Sequence, residues 1–205
     1  MTFFGYHPLK LLSQLDSNPQ SVDLQILKSN KFQEVYSNLG IPSKSTTTPD
    51  DMSYYKILLA LSAVERGSNF MDVCKLICWK DFEIFSSEIL KFHDFEVLLN
   101  YRLRNPTRQI DVIGTKSGLA LIMDCKHWRK NSYSAIREAV KKQKERGLLL
   151  SNKKSLNGVS KVLPVVVTFV PLAYKQVDMV PIIPIQLLNS FLLEFEFHIE
   201  EYFTI

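Results

Sequence analysis

The chain has 205 residues, 46% of them hydrophobic and 22% charged, with a net charge of +4. This balance is typical of a folded globular protein and argues against intrinsic disorder, and the length suits one domain with a smaller appendage. No segment reaches the roughly 20 uninterrupted apolar residues that span a bilayer, no secretory signal is recognisable, and three cysteines argue against a disulfide framework. We therefore expect a cytoplasmic protein without a membrane partner.

The first third of the sequence predicts a helical extension, which we assign to residues 1–78. Helical patterns cover residues 8–15, 22–39, 54–66 and 70–79. The last two of these join at Gly67-Ser68-Asn69. This pair resembles a helix-turn-helix, although plain packing of two helices explains the same pattern.

From Trp79 onward strands alternate with helices, and we assign residues 79–205 to a second domain. The pattern predicts a helix over 80–92, strands over 95–103, 110–114 and 119–126, a helix over 134–149, strands over 162–170 and 179–185, and a helix over 186–195. A hairpin loop at residues 115–118 is expected to join the second and third strands. This order predicts an α/β fold with one mixed central sheet flanked by helices.

Two carboxylates and a lysine are expected to lie on one face of this hairpin. Asp124 and Lys126 share a face of the third strand because side chains alternate, and Cys125 points to the other face. If Gly114 lies opposite Leu119, Asp111 lies opposite Ile122 and Asp124 is its diagonal neighbour.

This combination of groups suits the hydrolysis of phosphodiester bonds. Carboxylates are hard oxygen ligands for Mg²⁺ or Mn²⁺, which lowers the pKa of a bound water and neutralises charge on a phosphate. A lysine nearby can hold the attacking water or stabilise the transition state. The alternative is an ordinary Asp–Lys pair at the surface, which contributes little to stability.

Three segments carry a family resemblance: Trp79-Lys-Asp-Phe-Glu83, Gln109-Ile-Asp-Val-Ile113 and Ile122-Met-Asp-Cys-Lys-His-Trp128. Together they resemble the restriction-endonuclease-like superfamily, the PD-(D/E)XK nucleases, and above all its Mrr-type and archaeal Holliday-junction-resolvase-like branches. The resemblance covers about residues 79–195. Ile110 stands where the motif has its proline, and Asp124 stands where glutamate is commoner.

The resemblance implies a Mg²⁺-dependent nuclease core with a restriction-endonuclease-like fold. Asp111, Asp124 and the Cys125 carbonyl would bind the metal ion, and Lys126 would be the catalytic lysine. Glu83 would complete the site from the first helix of the core.

The sequence leaves alternatives open for two further residues of the expected site. Glu83 and Glu88 flank the apolar face of their helix about equally, so the helical period does not choose between them, and either could be an ordinary solvated glutamate. The resemblance favours Glu83. Gln143 lies on the apolar stripe of the second helix, where a polar amide needs a partner at the active-site edge or lies at the rim of the stripe.

A basic segment follows the third strand. Residues 126–161 contain eleven Lys and Arg against two Glu, so this segment carries +9 and the rest of the chain −5. A nucleic-acid partner explains this block, as does a solvated helix and loop. The residues expected to contact a phosphate backbone are His127, Arg129, Lys130, Arg137, Lys141 and Lys144.

The sequence therefore predicts a metal-dependent DNA endonuclease acting in repair, recombination or restriction. RNA as a substrate stays open, as does a homodimer, since no dimer seam stands out. The alternative is a catalytically inactive protein that keeps the nuclease fold as a nucleic-acid-binding module or scaffold.

Overall fold

The computed structural model describes residues 8–17, 49–126, 132–153, 156–169 and 171–205. The chain divides into two compact units, Met1–Phe85 and Ser86–Ile205. The predicted helix over residues 22–39 lies outside the described residues. Within the described part of the chain, no helix is long and apolar enough to cross a membrane.

The first unit is helical where it is described. It contains α1 (Pro8–Ser17), α2 (Pro49–Glu65), α3 (Phe70–Lys75) and the first half of α4 (Trp79–Phe92). Residues 57–63 of α2 are buried without interruption, as expected of a helix enclosed on all sides. α1 packs against α2.

The predicted helix over residues 70–79 is too long, because α3 ends at Lys75 and α4 begins at Trp79. The side chain of Asp81 accounts for the new start. Its Oδ2 accepts a hydrogen bond from the backbone N–H of Cys78 at 2.7 Å, and its Oδ1 accepts one from Ser53 Oγ at 2.7 Å. An acidic residue at the third helical position that binds the capping residue's N–H satisfies a donor left free at the helix start.

The second unit contains a mixed six-stranded sheet in the order β1-β2-β3-β4-β6-β5. Its strands are β1 (Glu96–Leu103), β2 (Arg108–Lys116), β3 (Leu119–Lys126), β4 (Lys161–Thr168), β5 (Gln176–Val177) and β6 (Val180–Pro184). The first three strands pair antiparallel, β3–β4 and β4–β6 are parallel, and β5 pairs antiparallel with β6. The predicted α/β class with a mixed sheet is confirmed.

The register predicted for the hairpin is wrong by two residues. Gly114 lies opposite Leu121, not Leu119, and Lys116 lies opposite Leu119. The hairpin loop has two residues instead of four, because Ser117 and Gly118 both adopt positive φ, at 50° and 80°. Two consecutive left-handed residues form a tight turn that matches the twist of the strands, so the ladder continues to the turn.

Helices cover both faces of this sheet. On one face a Cβ at Gly114 of β2 would lie 2.9 Å from Leu90 in the second half of α4. On the other face α5 (Tyr133–Asn152) packs against β3 and β4. At Gly147 of α5 a Cβ would lie 2.7 Å from Ile205 Cδ1 and 3.3 Å from Ile122 Cδ1. This close approach brings the helix onto the even-numbered side chains of β3.

The end of the chain differs from the prediction in two respects. The helix expected over residues 186–195 is a 3₁₀ turn, Ile185–Leu187, followed by α6 (Leu188–Glu194) and a second 3₁₀ segment, Phe195–Glu201. The short strand β5 was not predicted, since two residues carry no periodic signal. The terminal Ile205 exchanges backbone hydrogen bonds of 2.8 and 3.0 Å with Val162 at the start of β4.

The close contact at Gly147 predicts that Gly147→Val destabilises the protein by about 2 kcal/mol through overpacking against β3 and β4. Lys142→Val, at an exposed position of the same helix, should cost only about 0.5 kcal/mol of helix propensity. Urea denaturation of both variants measures the difference. Equal losses would contradict the packing argument.

Candidate active site

The candidate site lies where β2 separates from β3. The β2–β3 ladder ends at Val112 opposite Met123, although both strands continue beyond this pair. Asp111 and Asp124 are the next residues of the two strands after this last pair, instead of the diagonal pair that the sequence predicted. The two aspartates therefore stand at the point where the strands part, on the face covered by α5.

A side chain replaces the missing backbone partner at this point. The Cys125 N–H, which faces β2, donates to Asp111 Oδ2 at 2.9 Å. A buried N–H needs an acceptor, and the Asp111 carboxylate supplies one where the β2 backbone has moved away. This hydrogen bond fixes the Asp111 carboxylate at the point where the two strands separate. The Cys125 thiol points to the other face, 3.7 Å from Ser86 Oγ, and the predicted role of its carbonyl as a metal ligand stays a prediction.

Asp124 is the most deeply buried acid of the site, with 1% of its side chain exposed. Lys126 Nζ lies 2.9 Å from both carboxylate oxygens and donates a hydrogen bond to Oδ1. Arg146 Nη1 donates to the same Oδ1 at 2.9 Å. Oδ2 is buried as well, and the lysine ammonium at 2.9 Å is its ion-pair partner.

Gln143 joins the sheet to the arginine. Its Nε2 donates to the Ile122 carbonyl at 2.8 Å, and its Oε1 accepts from Arg146 Nη1 at 3.0 Å. The side chain is fully buried, so the rim position left open by the sequence is wrong. This amide fixes the orientation of Arg146 toward Asp124.

Arg146 was not predicted as a site residue. In the sequence it is one of the charges of the basic segment that could follow a phosphate backbone, yet just 17% of its side chain is exposed. The signal was present, because Arg146 follows Gln143 by three residues and so lies next to it on the same face of α5. A basic residue adjoining a buried stripe needs an acidic partner.

The charges of the site act on Asp111. Burial raises the pKa of the Asp111 carboxyl above its ordinary value, and repulsion from Asp124 raises it further. The hydrogen bond from Cys125 N–H and the charges of Lys126 and Arg146 oppose this shift. The net direction is upward, so Asp111 holds its proton to a higher pH than a solvated aspartate does.

The oxygen donors of the site determine whether it suits a divalent metal ion. In the described part of the chain, no group of three or more His, Cys, Asp or Glu residues could hold a metal ion. Two carboxylates are nevertheless a sufficient protein contribution for Mg²⁺, which keeps several of its waters. The carboxylates of Asp111 and Asp124 are hard oxygen donors, so the donor set fits Mg²⁺ or Mn²⁺ in kind.

The two candidate glutamates occupy different parts of α4. Glu83 is 3% exposed and belongs to the first unit, so it is not the ordinary solvated glutamate that the sequence left open. Glu88 belongs to the second unit and pairs with Lys91 at 2.9 Å. The assignment of Glu83 to the site stays a prediction.

The predicted DNA-contacting residues are only partly described. His127, Arg129 and Lys130 lie outside the described residues. Arg137 and Lys141 are exposed on α5. Lys144 Nζ donates to the Asp178 carbonyl at 3.3 Å and lies 3.8 Å from the centre of the Phe203 ring. Its ammonium is therefore bound by other residues of the second unit.

A cavity of about 390 Å³ lies elsewhere in the second unit, between β6, α6 and the chain end. Its lining is largely apolar and includes Ile182, Pro184 and Phe191. None of the acidic or basic residues of the candidate site lines it. Because hydrolysis of a phosphodiester needs charged groups, the charged cluster around Asp111 and Asp124 is the better candidate.

Asp111→Asn is expected to stabilise the protein at neutral pH without divalent metal. The amide oxygen still accepts from Cys125 N–H, while the desolvated charge and its repulsion with Asp124 are removed. The pKa of Asp111 is higher in the folded state than in the unfolded state. Wild type therefore loses stability as the pH rises from the unfolded-state pKa through the folded-state pKa, and nothing is lost below the unfolded-state pKa. The variant's melting temperature should therefore be higher than that of wild type at pH ~7, by roughly 2–4 °C for each kcal/mol gained in the free energy of unfolding. Near pH ~3 the two melting temperatures should be equal.

Calorimetry at both pH values checks this expectation. Glu196→Gln, which removes an exposed carboxylate, serves as the matched control and should change neither melting temperature. An Asp111→Asn protein that melts below wild type at neutral pH would contradict the electrostatic account.

Gln143→Leu is expected to destabilise the protein by about 2 kcal/mol, since it leaves the Ile122 carbonyl without this donor in a buried position. The change places an apolar side chain of similar size on the stripe. Lys142→Leu, one residue away and exposed, is the control in urea denaturation. Unchanged stability of Gln143→Leu would show that the amide is not needed there.

Comparisons with known proteins do not assign the chain to a family. No protein-family model, no curated protein and no solved structure matches the chain. The resemblance to nucleases therefore depends on the sequence motifs alone, and the chemistry of the site has to be argued from its own residues.

Proposed function

We propose that the protein is a metal-dependent DNA endonuclease that hydrolyses phosphodiester bonds, built on a restriction-endonuclease-like core. The observation that carries the proposal is the placement of Asp111, Asp124 and Lys126 together where β2 and β3 separate. An apolar sheet has no need of two neighbouring carboxylates, one of them with only 1% of its side chain exposed. Such a pair is costly for folding and useful for binding a cation.

Each residue has a role that follows from its surroundings. Asp111 and Asp124 would hold Mg²⁺ or Mn²⁺, which supplies an activated water and neutralises charge on the phosphate. Lys126 is 30% exposed, so its ammonium can reach both the buried carboxylate and a ligand that enters from solvent. Lys126 would orient the attacking water or stabilise the charge that develops on phosphate oxygens. By the family resemblance, Glu83 and the Cys125 carbonyl would complete the site.

The basic residues near the site support a polyanionic substrate. Arg137 and Lys141 are exposed one turn apart on α5, the helix that also carries Arg146. His127, Arg129 and Lys130 follow Lys126 directly in the sequence. Contacts of this kind to phosphates position a nucleic acid without reading its sequence. We assign DNA as the substrate, a cytoplasmic location and homodimerisation as parts of the same proposal.

One observation favours the alternative, a protein that binds nucleic acid without cutting it. Asp111 and Asp124 are balanced by Lys126 and Arg146, so the site is neutral without a metal ion. A permanently closed ion-pair network would stabilise a scaffold. The distinction is measurable, because a scaffold binds DNA equally well with and without divalent metal.

The test compares wild type with Asp124→Asn and Lys126→Met on supercoiled plasmid and on a four-way junction. Each protein is incubated with Mg²⁺, Mn²⁺ or EDTA. We expect metal-dependent nicking by wild type and a loss of at least about 10²-fold in both variants. Lys142→Met removes an exposed lysine paired with Glu138 at 3.4 Å and should cut like wild type. DNA binding without cleavage under every condition would replace the nuclease by the scaffold.

A further inference from the structure

One buried atom of the candidate site lacks the partner that its chemistry requires. Arg146 Nε donates no hydrogen bond within the part of the chain that is described. Its ion-pair partner Asp124 is satisfied on both oxygens, because Lys126 Nζ lies 2.9 Å from each of them. An unsatisfied buried polar group costs about 1–3 kcal/mol, so the free Nε–H needs a physical explanation.

The geometry of the pair shows why Nε is left over. Arg146 Nη1 is shared between Asp124 Oδ1 and Gln143 Oε1, and Gln143 is anchored to the Ile122 carbonyl. This anchoring holds the guanidinium in an end-on contact with the carboxylate. A side-on contact, with two parallel hydrogen bonds, would use more of its donors. The observed arrangement leaves the Nε–H of Arg146 as a donor for an anion.

We propose that Arg146 is a counter-ion of Asp124 that a divalent cation replaces, and that the released guanidinium then binds an oxygen of the substrate's phosphate. This inference rests on the proposed function. It adds the positively charged side chain of Arg146 to the groups that act on the phosphate. Without metal, Arg146 compensates the buried charge of Asp124. With metal, Asp124 has a stronger partner, and the fork of N–H donors on Arg146 suits a phosphate.

The proposal makes metal affinity and catalysis change in opposite directions. Arg146→Gln keeps an amide donor toward Asp124 but removes the competing charge, so Mn²⁺ should bind about tenfold more tightly. The same variant lacks the phosphate contact, and kcat for plasmid nicking should fall by about 10²-fold. Removal of a positive charge raises Mn²⁺ affinity for a permanent structural ion pair too, but such a pair predicts that kcat of the folded variant stays within about twofold of wild type. Calorimetric Mn²⁺ titration of the full chain measures the first quantity without any turnover.

Three controls separate this effect from general loss of charge or fold. Arg146→Lys keeps the positive charge and should bind Mn²⁺ within about twofold of wild type. Lys142→Gln removes an exposed charge from the same helix and should change neither quantity. Asp124→Asn should lose Mn²⁺ binding. Melting curves of every variant show whether it is folded.

A measurement on wild type keeps the proposal testable if Arg146→Gln does not fold. The Nε–H resonance of Arg146, assigned by its loss in Arg146→Lys, should shift during a Mg²⁺ titration and saturate with the calorimetric affinity. A resonance that does not respond while the metal binds would overturn the role of Arg146 and leave the nuclease proposal standing. Absence of Mn²⁺ binding to wild type would overturn both proposals together.

Discussion

Asp124 brings a carboxylate into a nearly dry position of the sheet, and the organisation of the site follows from this burial. A buried charge without partners is too costly to persist. Two cations therefore converge on it, Lys126 from the same strand and Arg146 from α5. The arginine in turn is held by Gln143, which is anchored to the backbone of β3. One buried acid thus determines which residues of the covering helix must be polar.

The position of the site depends on the separation of two strands. As far as Val112 and Met123, β2 is paired with β3 through backbone groups that satisfy one another. Beyond Val112 the Asp111 carboxylate takes the place of a backbone acceptor for Cys125 N–H. A side chain that is also a candidate metal ligand therefore holds this strand edge. A substitution that removes its acceptor oxygens changes both the strand edge and the charge of the site, whereas Asp111→Asn changes the charge alone.

The sequence predicted the fold class and the shared face of the acids, because both depend on short periodicities. Alternation along β3 is enough to separate Asp124 and Lys126 from Cys125. The register was wrong because the turn type depends on the φ angles of Ser117 and Gly118, which the hairpin signal does not fix. Arg146 was missed because its partner lies in another element, and only packing of α5 against β3 brings the two together.

The charge balance of the site also constrains the order in which ligands can be accommodated. Two carboxylates and two cations are neutral together, so a divalent ion alone would leave an excess positive charge in a partly buried site. A phosphodiester brings the negative charge that offsets part of this excess. Metal and substrate should therefore strengthen each other's binding, and by thermodynamic linkage this coupling is the same in either order of addition. This coupling would act on the ion pair between Asp124 and Arg146, since the metal ion would bind Asp124 and the phosphate would bind Arg146.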